Sequence, residues 1–320
     1  MIKLSKRTDS FLLDIKHKLL YYSLRDGLYQ LMDKEDCVGQ KILSGHNARF
    51  KLSDSLQYLA AVTDDNEFVV FSTSDAGKTE QIWKYHLPAE TQYVDFFFEG
   101  DRYIHISTDN QMCCFDIETC SICNKYRCHS YTENGIEVYS HISSFSFDGS
   151  YLYLLCKYYT SYPSYFSVVD AKTYKEIQYI ELQPEFNNDY SSVLVNPSRY
   201  LCVFGLLGIY PARAYKLEDH LITDDVLFEK KLPSVVRASF SSDYKYITLW
   251  VFDDHFPGNN AYLLNAEDLS IVQKTENGST FAPAFADGSR YWLLPGKNSI
   301  VIDTENLGKS IELDSVWRTL

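Results

Sequence analysis

Residues 143–182 read SSFSFDGSYLYLLCKYYTSYPSYFSVVDAKTYKEIQYIEL. An apolar run, Ile142 to Phe147, ends at Asp148-Gly149, a pair suited to a tight turn. A second run follows from Tyr151 to Lys157, rich in the aromatic and branched side chains that fit a pleated surface. A polar and aromatic insert, Tyr158 to Tyr165, leads to a third strand, Phe166 to Asp170. A turn at Ala171-Lys172-Thr173 opens a fourth, Glu176 to Leu182. The stretch predicts four antiparallel strands joined by short connections.

The same unit recurs along the chain. Its first hairpin returns as FKLSDSLQYLAAV (Phe50 to Val62), DFFFEGDRYIHIS (Asp95 to Ser107), SVLVNPSRYLCVF (Ser192 to Phe204), ASFSSDYKYITLW (Ala238 to Trp250) and PAFADGSRYWLL (Pro283 to Leu294). A tyrosine opens the second strand of each copy: Tyr58, Tyr103, Tyr151, Tyr200, Tyr246 and Tyr291, spaced 45, 48, 49, 46 and 45 residues apart. Ser10 to Leu24 is a weaker seventh copy, with its turn at Asp14 to His17. The third strand ends each time in an acidic or amide turn, as in FDIETCSI, VVDAKTYKEI and LLNAEDLSIV. Short polar side chains favour such turns because they hydrogen-bond their own backbone. A period of roughly 40–50 residues with four strands per unit is the sequence signature of a propeller blade.

On these repeats the chain resembles the seven-bladed β-propellers of the WD40-like and YVTN-like type, from Ser10 to about Leu313. Gly45-His46 stands where WD40 repeats carry their Gly-His pair, but no blade ends in Trp-Asp. The resemblance implies an all-β fold, a single propeller domain of four-stranded antiparallel blades. The expected blades cover residues 10–44, 45–88, 89–137, 138–186, 187–233, 234–276 and 277–315. Six blades is the rival count if the first copy is only partial. Each repeat holds its own four strands, although Ile2-Lys3-Leu4 could add to the last blade.

Composition agrees with a β-rich chain: of 320 residues, 26 are Tyr and only 3 Met, and aromatics make up 15%. The formal net charge of −13 disfavours the basic footprint of a nucleic-acid binder and docking on anionic lipid. A basic protein partner suits it. The N-terminal MIKLSKRTDSFLLDIKHK has an apolar run of only four residues, too short for a secretory signal, and no window is long enough for a transmembrane helix. A cytoplasmic protein is expected. The eight irregularly placed cysteines fit that expectation, since they do not space like a disulfide scaffold.

Function is expected where the copies differ. The connection between second and third strands is short in blades one, two, three and seven: Arg25-Asp26-Gly27, Asp64-Asp65-Asn66, Thr108-Asp109-Asn110 and Pro295-Gly296-Lys297-Asn298. It is long and aromatic in blades four (Lys157 to Tyr165), five (Gly205 to Arg213) and six (Phe252 to Asn260). Each long loop holds an aromatic residue before proline: Tyr162-Pro163, Tyr210-Pro211 and Phe256-Pro257. Proline stiffens the loop by fixing its own φ and restraining its predecessor. In a propeller these loops share one face, so three rigid loops are expected side by side. The candidate partner-binding residues are Tyr158, Tyr159, Tyr162, Tyr165, Tyr210, Arg213, Asp253, Asp254, His255 and Phe256. Aromatic anchors bring large contact area with few rotors to freeze; the plainer reading is that these loops pack on each other.

Other constellations carry less. Cys120, Cys123, Cys128 and His129, in CSICNKYRCH, are chemically apt zinc ligands. They fall on an outer strand whose alternation sends Cys120 and Cys123 to opposite faces, so small buried hydrophobes are the plainer reading. Asp253, Asp254 and His255 could bind a cation or move a proton, yet three polar residues on a loop are ordinarily just solvated. No G-x-S-x-G, Walker or H-E-x-x-H pattern is present. Asn277-Gly278-Ser279 fits an N-glycosylation site but is better taken as a turn. The sequence therefore points to a non-enzymatic scaffold without cofactor, binding another protein through the face of the blade four to six loops, with Asp253 and Asp254 at the rim. The alternative is a propeller hydrolase or lactonase with a metal over the central channel, for which Asp95 and Glu137 are conceivable ligands.

Overall fold

In the computed structural model the described residues are 10–14, 19–24, 26–31, 39–45, 49–73, 79–87, 91, 94–158, 163–182, 190–197, 199–205, 211–252, 259–275, 283–286, 289–294, 300–307 and 310–311. They form seven four-stranded antiparallel sheets, each built from four consecutive strands, in a seven-bladed β-propeller. Blade one holds β1 (Ser10–Asp14), β2 (Leu19–Leu24), β3 (Gly27–Leu31) and β4 (Gln40–Ser44). Blade two holds β5 (Arg49–Leu52), β6 (Tyr58–Val62), β7 (Glu67–Thr73) and β8 (Thr79–His86). Blade three holds β9 (Asp95–Glu99), β10 (Tyr103–Thr108), β11 (Gln111–Asp116) and β12 (Ser121–Arg127). A separate two-stranded hairpin follows, β13 (Ser130–Glu133) and β14 (Ile136–Tyr139). Blade four holds β15 (His141–Phe147), β16 (Tyr151–Lys157), β17 (Tyr165–Asp170) and β18 (Glu176–Glu181). Blade five holds β19 (Tyr190–Asn196), β20 (Tyr200–Gly205), β21 (Ala212–Glu218) and β22 (Leu221–Lys230). Blade six holds β23 (Ser234–Phe240), β24 (Tyr246–Phe252), β25 (Asn259–Asn265) and β26 (Ile271–Thr275). Blade seven holds β27 (Ala284–Ala286), β28 (Tyr291–Leu294), β29 (Ile300–Asp303) and β30 (Ser310–Ile311).

The weak N-terminal copy is a complete blade, so the count is seven rather than six. Blade seven takes its outer strand from the C-terminal Ser310–Ile311, and β1 lies beside both β27 and β5. No strand is borrowed across that junction among the described residues; Ile2-Lys3-Leu4 lies outside them. The chain divides into two compact units, Met1–Glu90 with Phe240–Leu320, and Thr91–Ser239.

Turn chemistry fixes where each second strand begins. Asp148 closes the first turn of blade four: its N–H donates to Tyr151 O (3.2 Å) and its Oδ1 accepts from Tyr151 N (2.7 Å). Ser241 and Tyr246 make the same reciprocal pair in blade six, as do Ser53 and Tyr58 in blade two. The outer turns obey a second rule. Asp116, Asp170, Asn265 and Asp303 each accept a backbone N–H two or three residues on. Cys120, Tyr174, His220 and Leu269 take left-handed φ values of 51–67° so that the chain can reverse. At Gly27 the turn demands a missing side chain, because a Cβ there would meet Leu43 O at 2.2 Å.

The core follows from sheets covered on both faces. Along β16, Leu152, Leu154 and Cys156 turn towards blade three, against Met112, Cys114 and Tyr126. Tyr153 and Leu155 turn towards blade five, against Tyr190, Val193 and Leu201. The strand is apolar from Tyr151 to Cys156 because both sides are covered. Each such side chain contributes about 1.5–3 kcal/mol. The outer β18 has one covered side and alternates between half-buried and exposed.

A candidate interaction surface at one end of blade four

The register of blade four places His141 opposite Lys157, Cys156 opposite Tyr165, and Tyr165 opposite Glu181. These residues mark one end of the sheet, where the insert after β16 leaves and where the chain enters β15. The hairpin β13–β14 joins β12 to β15, so it stands at that same end.

A hydrogen-bonded base anchors the hairpin. Ser140 N donates to His129 O (3.0 Å), and the Tyr165 hydroxyl accepts from His129 N (2.9 Å) and pairs with Ser140 Oγ (2.7 Å). Tyr165 is fully buried, and that burial, with the thiols of Cys156 and Cys128 beside it, holds its phenol far above the usual range, so it stays protonated. The Tyr131 ring of β13 meets the Tyr158 ring edge to face, with centroids 5.1 Å apart. His129 Nε2 lies 2.8 Å from Glu176 Oε2, and Glu176 also accepts from Tyr126 and Ser167. Arg127 lies over the Tyr139 ring, 5.4 Å from its centroid.

The hairpin turns through Asn134 and Gly135, both with positive φ (51° and 79°), as a two-residue hairpin loop requires. Glu133 pairs with Ile136, Thr132 with Glu137, Tyr131 with Val138 and Ser130 with Tyr139. Ile136, beside the turn, is 68% exposed, the most exposed large apolar side chain among the described residues. Hydrogen bonds from Tyr139 and from Ser130, whose Oγ is 2.8 Å from Glu137 Oε1, hold the Glu137 carboxyl below its usual range. His141 is held below its ordinary range by burial and by Lys157.

Several candidate residues have other duties. Tyr158 and Tyr165 turn inward, 7% and 0% exposed, and are packed against Tyr131, Tyr179 and each other. They support the surface from beneath, because rings flanking a covered strand are worth more in the core than in water. Arg213 is half-buried and donates from Nε to Glu229 (2.8 Å). Tyr159, Tyr162, Tyr210, Asp253, Asp254, His255 and Phe256 lie outside the described residues; Phe252, just before the last four, is 51% exposed.

The cysteine-histidine constellation is dispersed. Cys120 Sγ points to Ile117 O, Cys123 Sγ to Cys114 O, Cys128 Sγ lies 3.8 Å from Cys156 Sγ, and His129 belongs to Glu176. No group of three or more His, Cys, Asp or Glu among the described residues is placed to hold a metal ion. The described cysteines are free thiols, and burial pushes those of Cys113, Cys114, Cys156 and Cys202 up. Asp95 and Glu137 do not converge: Asp95 meets Arg237 (2.9 Å), while Glu137 sits on the hairpin.

The hairpin is the element that the repeat pattern missed. Its signal was present, as Asn-Gly between Tyr131-Thr132 and Ile136 to Tyr139, but fell where one blade was expected to give way to the next.

No protein-family model matches the chain, and no curated protein matches it. Among solved structures it is similar to the β-propeller domain of Cps50 (Swd1) from Myceliophteria thermophila, with a TM-score of 0.64 and 14% identity over 91% of this chain and 93% of that one. At that identity the likeness is one of fold.

Proposed function

We propose that this chain is a non-enzymatic protein-interaction scaffold that docks a partner on the face carrying the second-to-third-strand loops of blades four to six. The propeller fold and its WD40-type structural neighbour are consistent with a protein-binding role. The observation that carries the choice of face is the hairpin β13–β14. It belongs to no blade, and it rises at the end of blade four from which the aromatic insert also leaves. A scaffold explains what the blades share; an added element with an exposed Ile136 and a ring-packed base is explained by contact with something else.

The loop anchors are testable together. Replacing Tyr162, Tyr210 and Phe256 by Ser is expected to leave the melting temperature and circular dichroism unchanged. Partner recovery in affinity purification from the native host should fall at least about tenfold, as loss of aromatic hot spots does. Undiminished recovery by a folded triple variant would refute this choice of face.

A further inference from the structure

We infer that the outer edge of β14 is a docking strand for an extended, basic segment of a partner protein, which adds to the hairpin as a third strand. This rests on the reading of the chain as an interaction scaffold and names how one part of its surface would bind.

The geometry comes from the ladder. Glu133 and Ile136 flank the two-residue turn and so exchange both backbone hydrogen bonds; in an antiparallel pair the bonded positions alternate. Tyr131 and Val138 are then the next bonded pair, and Ser140 N donating to His129 O at 3.0 Å continues the alternation at the base. The backbone groups of Ser130 and Thr132 therefore point outward on one edge, and those of Glu137 and Tyr139 on the other. Neither edge pairs with any other strand among the described residues. Open strand edges are templates for pairing, and natural proteins commonly cover or blunt them. A two-stranded ribbon is marginal alone, and a third strand is what such a ribbon lacks.

Charge selects the occupant. Glu137 lies on the β14 edge, exposed, with its carboxylate held ionised by Tyr139 and Ser130 and, to a smaller extent, by the Arg127 guanidinium that lies over the Tyr139 ring. The chain carries a formal charge of −13. A second copy pairing through the same edge would bring two Glu137 carboxylates and two strongly acidic molecules together, whereas an incoming strand with Lys or Arg would be steered in. Ile136 and Val138 on the same strand offer an apolar strip for its alternate side chains.

The test uses the whole chain and a fluorescent, capped peptide of about ten residues alternating Val and Lys, long enough to span the hairpin. Anisotropy at low salt is expected to show saturable binding that weakens as salt rises. Glu137→Pro removes an outward N–H without touching a ladder bond, and should weaken binding at least about tenfold. Glu137→Gln, which keeps the edge, should weaken it by about two- to fivefold, and Thr132→Pro on the other edge should leave it unchanged. Independently of any variant, the peptide should slow hydrogen exchange at the Glu137 and Tyr139 amides. The inference falls if no peptide binding is seen, if Glu137→Pro binds as well as the native chain, or if a Val-Glu peptide binds equally. It also falls if Thr132→Pro is the damaging variant, or if sedimentation shows the native chain pairing with itself through this strand. Failure here with intact sensitivity to the Tyr162, Tyr210 and Phe256 replacements removes the hairpin from the interaction but not the interaction itself.

Discussion

Asp243 shows how much one side chain can hold at a blade junction. It sits in the turn after β23, where its Oδ1 accepts from Ser241 Oγ (2.7 Å) and Lys245 N (3.2 Å) and its Oδ2 from Ser289 Oγ (2.6 Å). Burial raises its carboxyl, but the hydrogen bonds from Ser289, Ser241 and Lys245 outweigh that and bring it down to about 2. Because the folded value lies below the unfolded one, the ionised group stabilises the fold above about pH 4, and that stabilisation is lost as the pH falls towards 2. Asp243→Asn should accordingly be less stable than the native protein at neutral pH, with the gap narrowing on acidification. Urea midpoints at about pH 7, 4 and 2.5 measure it; a constant gap would show that the carboxylate's charge is not what matters. The Asp243 turn itself was legible in the sequence, because Ser-Asp before a strand is local chemistry. Its bond to Ser289, 46 positions away, was not.

At the scale of elements, the junctions between blades combine apolar packing with a few buried polar ties. In blade four, the Asp148 side chain is fully buried and accepts from His220 Nδ1 (2.7 Å) and the Tyr153 hydroxyl (2.9 Å), which ties blade four to blade five's outer turn. His105, also buried, stands 2.6 Å from both the Tyr174 hydroxyl and Glu99 Oε2. In blade seven, Trp292 Nε1 donates to Thr248 Oγ1 of blade six (2.7 Å) inside the core. Thr248→Val keeps the shape and strands the indole N–H, so it should cost about 1–3 kcal/mol by chemical denaturation. A loss near zero would mean that the indole finds another acceptor. Strand positions were readable from the sequence nearly to the residue: the six repeat tyrosines all open second strands. The hairpin is not legible in the repeat pattern, because its Asn-Gly turn falls where one blade gives way to the next, and a turn signal does not say which sheet its strands join.

For the molecule as a whole, the seven blades place distant residues together. Asp95 begins the inner strand of blade three and Arg237 lies on the inner strand of blade six, yet their charged groups are 2.9 Å apart within the Thr91–Ser239 unit. Both side chains are partly open to solvent, so the pair is screened. Arg237→Gln should lower stability by about 1 kcal/mol or less, and added salt should shrink the difference. A loss several times larger would show that this pair organises the inner strands rather than decorating them.

Fold class and most strand positions were determined by the sequence itself, since they rest on apolar periodicity and turn residues acting over a few positions; that the weak first copy makes a full seventh blade was decided by the structure. The tertiary structure alone decided the fate of individual side chains. Tyr158 and Tyr165 look like surface anchors in a loop, but the ring of Tyr131 and the base of a neighbouring hairpin cover them. Cys120, Cys123, Cys128 and His129 lie close in sequence, yet each has a different partner. For Cys128 and His129 the partner comes from blade four, and for the two tyrosines part of the cover comes from the hairpin; a strand's own residues do not specify which neighbours those are.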